Sequence, residues 1–201
     1  MIKAIIFDLD GVLVDATEWH YEALNEALML FGFEISLNEH KTTYNGLPTL
    51  KKLEKLTAEK ELPKGLYKIV QIMKRKFTDN KVALNCKPKY EKQLLLSNLK
   101  KAGFKLAACS NAQKYSVINM LEKSQIIEYF DEILGNDEGF NPKPSPDIYI
   151  AMYKMLKIKP REALVIEDSF YGIEAASASG ANVITVKDSD EVNLSLFEDL
   201  L

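Results

Sequence analysis

With 201 residues, 47% of them hydrophobic, the chain is long enough for one good core, or for a core domain carrying a smaller insertion. A formal net charge of −3 gives no general electrostatic drive toward nucleic acid or an anionic membrane, so neither is an expected partner and any anion specificity must be local. The apolar start is too short for a signal peptide and no run reaches membrane-spanning length, which makes the cytoplasm the expected location; Cys86 and Cys109 form neither a disulfide framework nor a metal-ligand spacing.

The first predicted strand, Ala4-Ile5-Ile6-Phe7, stops on Asp8-Leu9-Asp10-Gly11-Val12. Alternate side chains of a strand share a face, so Asp8 and Asp10 reach one pocket if the extended geometry persists, and Gly11 permits a sharp exit. Such a pair can bind a hard cation, or supply a nucleophile and an acid/base. The spacing alone decides nothing, because Asp188-Ser189-Asp190 repeats it in what reads as a solvated loop. A calcium loop of the EF-hand type starting at Asp8 fails, since its twelfth position is Trp19 and not glutamate.

From Asp15 to Cys86 no convincing strand appears. Leu24, Ala27, Leu28 and Phe31 make one helical stripe, Leu50, Leu53 and Leu56 a second, and Leu66, Ile69, Val70 and Met73 a third. The interval reads as an inserted helical domain, residues 15–86, whose many lysines cover solvated faces. Residues 1–14 and 87–201 then form the core domain.

Four further strand-like segments follow: Lys105 to Cys109, Glu132 to Leu134, Ala163 to Ile166 and Asn182 to Val186. Between them lie helical patterns: Leu94, Leu95 and Leu99 running to Gly103, Ile148 to Leu156 behind Pro146, and Ile173 to Ala178 ending at Gly180. Strands alternating with helices predict an α/β fold, a Rossmann-like parallel sheet covered on both faces, with ligands at the carboxyl ends of its strands.

Three of those ends carry chemistry. Cys109 ends an apolar strand and reads as a buried thiol. Ser110 and Asn111 behind it suit a helix N-cap, and equally an anion site, because a hydroxyl and free N–H groups converge there. Asn141-Pro142-Lys143-Pro144-Ser145-Pro146-Asp147 brackets one lysine with prolines, with Ser145 as N-cap and Pro146 opening the next helix; the stiff loop fixes the base of a cationic side chain. Leu164-Val165-Ile166-Glu167-Asp168-Ser169 ends a strand in two acids, which are costly side by side unless a cation or water offsets them. One sheet edge thus gathers Asp8, Asp10, Ser110, Asn111, Lys143, Glu167 and Asp168, the mixture that Mg²⁺-dependent phosphoryl transfer needs.

The chain resembles the haloacid dehalogenase superfamily, in the subgroup with a helical cap inserted after the first motif. The stretches that carry the resemblance are FDLDGVLVD from Phe7 to Asp15, CSNA from Cys109 to Ala112, KPSPDIY from Lys143 to Tyr149 and VIEDSFYGIEAASASGA from Val165 to Ala181. It implies a phosphatase in which Asp8 is the nucleophile, forming an aspartyl-phosphate, and Asp10 the general acid and base. It further implies Mg²⁺ held by Asp8, the Asp10 carbonyl, Asp168 and Glu167, with the phosphoryl group gripped by Ser110 and Asn111 and its charge offset by Lys143.

In detail the resemblance is to β-phosphoglucomutases and small sugar-phosphate phosphatases, which implies a small phosphorylated metabolite as substrate. His20 matches a cap-hinge histidine that in the mutases helps control the acid/base; as a residue four positions before Leu24 it also fits a helix stripe. Gly46 and Leu47 match a cap loop that reads substrate, with Tyr44, Asn45, Lys51 and Lys52 beside it as further candidates for selectivity. Leu47-Pro48-Thr49 stands where the mutases carry an arginine for the distal phosphate, which favours hydrolysis over mutase chemistry. The segment Cys86 to Tyr90 also departs from the family's Pro-Gly turn. Dehalogenases lack the acid at Asp10, and a non-catalytic interaction protein leaves this full set of chemical groups without a purpose.

Overall fold

Ala4–Phe7 has no polar face to leave in water, so it is stable only where both faces are covered. In the computed structural model, which describes all of residues 1–201, this segment is β1, buried along its whole length at the centre of a five-stranded sheet. The other strands are β2 (Lys105–Cys109), β3 (Glu132–Leu134), β4 (Ala163–Glu167) and β5 (Asn182–Thr185). All pair in parallel in the order β3-β2-β1-β4-β5, with Phe7 level with Ala108 on one side and Ile166 on the other. Burial follows position: β4 is fully buried, whereas the edge strands β3 and β5 are partly open. The fold is the expected Rossmann-like α/β core with an inserted helical part. β4 runs one residue longer than its apolar run, through Glu167, and β5 stops one residue early, at Thr185.

The chain packs as two compact units, Met1–Asp15 with Cys86–Leu201, and Ala16–Asn85. The second unit holds α1 (Thr17–Met29), the single turn α2 (Leu37–Glu39), α3 (Thr49–Lys60) and α4 (Tyr67–Asn85). Ser36 starts α2 with a reciprocal cap, its hydroxyl accepting from Glu39 N while the Glu39 carboxylate accepts from Ser36 N at 2.6 Å. A π-helical turn, His40–Tyr44, follows. Leu24, Ala27, Leu28, Ile35, Tyr44, Leu53, Leu56, Leu62 and Val70 form this unit's core. Two of the expected stripes are narrower than the sequence pattern, because Leu50 and Ile69 are exposed. Phe31 lies past the end of α1 and still packs on the core. Nor are all the lysines solvated: Lys52 is buried.

In the first unit the sheet is covered by α5 (Tyr90–Lys101), α6 (Lys114–Lys123), α7 (Asp147–Leu156) and α8 (Phe170–Ala178). Ile148, Tyr149, Met152, Tyr153 and Leu156 of α7 pack with Ile6, Ala107 and Val165 of the strands. A buried side chain of this size contributes about 1.5–3 kcal/mol, so α7 is anchored firmly on the sheet. Phe197 of the C-terminal 3₁₀ segment meets Phe7, ring centres 6.2 Å apart. Ser189, expected in a solvated loop, is buried, and its carbonyl and that of Val192 accept from the buried Lys92 ammonium. No helix is long and apolar enough to cross a membrane.

Candidate active site

Because all five strands are parallel, their carboxyl ends fall along one edge, and the segments leaving β1, β2, β3 and β4 deliver the candidate residues there. Asp8 continues the β1 ladder by one bond, Asp8 N to Ile166 O at 3.0 Å, which points its carboxylate from the end of the strand. The chain then turns tightly: Leu13 N and Val14 N donate to Leu9 O, and Gly11 N donates to Val14 O. Gly11 sits at φ +85°, a region that L side chains rarely adopt, and a Cβ there would lie 2.3 Å from Asp168 Oδ2. The glycine therefore makes the exit expected of it and also lets the β1 turn close on the β4 acids.

Lys143 is the centre of the constellation. Its ammonium, almost wholly buried, donates to Asp8 Oδ1 at 2.6 Å, Glu167 Oε1 at 2.5 Å and the Cys109 carbonyl at 2.9 Å. Asn111 fixes the backbone that carries it: the Asn111 carboxamide accepts from Lys143 N at 2.9 Å and donates to Lys143 O at 3.2 Å. Asn136 Nδ2 in turn donates to the Asn111 carbonyl. The capping expected of Ser110 and Asn111 does not occur. The helix behind them starts at Lys114 without a side-chain cap, its first N–H donating to Asp137, because Asn111 is engaged by Lys143. Ser110, buried, accepts from Ala112 N at 3.0 Å, which leaves its hydroxyl proton to donate. Ser145 does not cap either; α7 begins at Asp147 with Pro146 in the cap position.

Glu167 is saturated with donors. Oε1 accepts from Lys143 and from Tyr149 Oη at 2.8 Å; Oε2 accepts from Asp168 N, Ser169 N and Ser169 Oγ. Ser169 also caps α8, accepting from Gly172 N at 3.1 Å. Asp168 differs: its Oδ1 is buried with no hydrogen-bond partner. Carboxylate oxygens of Asp8, Glu167 and Asp168 lie within 4.8 Å of one another.

The electrostatics point one way. Burial raises the Asp8 carboxyl well above its usual range, Lys143 opposes, and Glu167, Asp168 and Asp10 raise it further. Asp168 is pushed up to about 7, by burial first and then by the charges of Glu167 and Asp10. Burial alone would lower Lys143; Asp8 and Glu167 outweigh it and hold the ammonium charged. Four carboxylates thus share a pocket with the Lys143 ammonium, which leaves them short of positive charge. An oxygen-rich acidic set with an orphaned buried oxygen on Asp168 fits a hard divalent cation.

The remaining expected residues lie in the other unit. His20 is on α1, where Nδ1 lies 3.0 Å from Lys74 Nζ. Gly46, at φ +76°, and Leu47, whose N–H donates to Tyr44 O, form the turn after the π-helical segment. Tyr44 is not a solvent-facing selector: it is buried in that unit's core and donates to Glu59. Lys51 pairs with Glu54 on an exposed face. Two contributors escaped the sequence reading. Tyr149 enters there as the end of the KPSPDIY stretch and as part of the helical pattern Ile148 to Leu156, with no role of its own, although it follows Lys143 by six positions at the first turn of that helix; Asn136 lies in an unpatterned loop with no signal at all.

Residues 5–186 match the family described as haloacid dehalogenase-like hydrolase. A phosphoglycolate phosphatase of Aquifex aeolicus is 31% identical over 179 residues, 89% of this chain and 82% of that protein. A phosphorylated carbohydrates phosphatase of Thermotoga maritima is 28% identical over 184 residues, again 89% and 82% of the two chains. Among solved structures, β-phosphoglucomutase of Clostridium difficile superposes with a TM-score of 0.86 at 21% identity, covering 100% of this chain and 97% of that one, a likeness of fold.

Proposed function

The chain belongs to the haloacid dehalogenase-like hydrolases and is a phosphatase of that family, and from that premise we propose that it hydrolyses a small phosphorylated carbohydrate with Asp8 as nucleophile and Mg²⁺ as cofactor. The observation that carries the reading is the buried Lys143 ammonium joining Asp8 to Glu167, beside the unpartnered oxygen of Asp168. Asp8, Asp168 and the Asp10 carbonyl would hold the metal, with Glu167 acting through water because both its oxygens already accept from donors. Bound there, Mg²⁺ supplies positive charge to the phosphoryl oxygens and lowers the repulsion between a carboxylate and a phosphate dianion.

In this reading an Asp8 oxygen attacks phosphorus as the bond to the ester oxygen breaks, and Asp10 gives that oxygen its proton. Asp10 then takes a proton from the water that attacks the aspartyl-phosphate, which releases inorganic phosphate and restores Asp8. Lys143 offsets charge on the transferring group throughout, and the Ser110 hydroxyl and the Asn111 main-chain N–H donate to it. His20 is read as a cap residue that helps control Asp10, and Gly46 and Leu47 as substrate-reading positions.

A screen of sugar, polyol, nucleotide and acyl phosphates for phosphate release, with Mg²⁺ and with excess chelator, tests the proposal. Release from a carbohydrate phosphate at a rate at least 100-fold above the chelated control is expected. Turnover that survives chelation, or no ester hydrolysed, contradicts it. Phosphate carried back to sugar without release would mark a mutase, which the absence of an arginine in Gly46-Leu47-Pro48-Thr49 argues against.

A further inference from the structure

Tyr149 touches two sides of the same ion pair. Its hydroxyl donates to Glu167 Oε1 at 2.8 Å, the oxygen that also accepts from Lys143, and its ring centre lies 5.0 Å from the Lys143 ammonium. The residue is fully buried on α7, and α7 is held to the sheet by Ile148, Met152, Tyr153 and Leu156. Of the groups around Lys143, Asp8 is the one it must serve, and Glu167 competes for the same positive charge. A carboxylate already satisfied by Tyr149, Ser169 and two backbone N–H groups draws less on an ammonium than one that lacks those donors.

We propose that Tyr149 is a positioning residue for the phosphoryl-transfer step: its hydroxyl moderates Glu167, and its ring gives the ammonium a second face, so that Lys143 stays directed at Asp8 and the transferring group. The inference rests on the phosphatase reading above. Removing the hydroxyl frees one lone pair of Glu167 Oε1 for Lys143, which pulls the ammonium away from Asp8. Removing the ring as well takes away a cation–π contact and leaves a void under the ammonium. The Tyr149 hydroxyl reaches Glu167 and not the substrate, so the hold of Ser110 and Asn111 on the phosphoryl group is left alone.

The test is a steady-state comparison of wild type, Tyr149→Phe and Tyr149→Leu on the best ester of the screen, with Glu167→Gln alone and combined with Tyr149→Phe. Tyr149→Phe is expected to lower kcat about five- to tenfold with KM within twofold, and Tyr149→Leu to lower kcat further, while Phe keeps the thermal midpoint close to wild type. In the Glu167→Gln background, Tyr149→Phe is expected to change kcat less than about twofold, because its route of action is gone. An equal loss in both backgrounds, or a loss confined to KM, overturns the proposal. Crystals of Tyr149→Phe give a readout independent of turnover: the distance from Lys143 Nζ to Asp8 Oδ1 should lengthen from 2.6 Å, and an unchanged distance also overturns it. If wild type hydrolyses no ester, the phosphatase reading fails by itself, and the crystallographic distance still decides on Tyr149.

Discussion

Lys143 shows how much one side chain carries. Its ammonium is out of water and has two carboxylates and a carbonyl as its partners. Breaking a buried pair by deleting one member costs about 3–5 kcal/mol, because the other charge remains unpaired. Lys143→Met should therefore lower the thermal midpoint and cut kcat by about 10²–10³-fold, as loss of a charge-stabilising donor does; a rate close to wild type, measured on the same ester, would remove Lys143 from the mechanism. The proline-bracketed loop made this lysine legible in sequence, as the strand-terminal acids did for Asp8, Glu167 and Asp168. The target of the Asn111 carboxamide was not legible, since it is the backbone of a residue 32 positions later. Tyr149 was hidden for a related reason: a helix stripe marks a buried ring, and sequence spacing does not say where its hydroxyl ends.

Among the elements, the junction of β4 with α8 is the tightest. A Cβ on Gly172 would fall 1.9 Å from Glu167 Oε1 and 2.0 Å from its Cδ, and five donors hold that carboxylate in place. Gly172→Ala should lose about 3 kcal/mol or more of stability, the upper range for overpacking, and most of its activity. Gly65→Ala, where nothing lies within 4 Å of the added carbon, is the control and should behave as wild type; equal melting midpoints for the two variants would contradict the close packing of helix on acid. The five strands were readable because segments buried on both faces are continuously apolar; the end of β4 was missed because the strand continues through the polar Glu167, and β5 closes at Thr185 although Val186 N still donates to Glu167 O. The helical unit was less readable. Leu50 and Ile69 fit the period and yet face solvent, while His40 and Lys52 are buried against expectation for their type.

For the molecule as a whole, charge sets the working conditions. His40 is fully buried, neither ring nitrogen has a hydrogen-bond partner, and burial, with Lys52, His20 and Lys74 adding to it, lowers its pKa to about 3. The unfolded chain takes up that proton near pH 6.5, so stability complete above that pH is lost as pH falls toward 3, by at most about 1.4 kcal/mol per unit. Calorimetry from pH 7 to 5 should show a steeper fall of the melting midpoint for wild type than for His40→Phe, and parallel curves would discount His40. In the first unit the imbalance runs the other way, with four carboxylates against the Lys143 ammonium, at the site proposed for catalysis. The most direct measurement is phosphate release from the best carbohydrate phosphate by wild type and Asp8→Asn at saturating Mg²⁺. Asp8→Asn is nearly isosteric and cannot act as the nucleophile, so its rate should fall at least about 10³-fold while the protein stays folded; a folded Asp8→Asn protein that releases phosphate at the wild-type rate would contradict the assignment of this edge of the sheet as the active site.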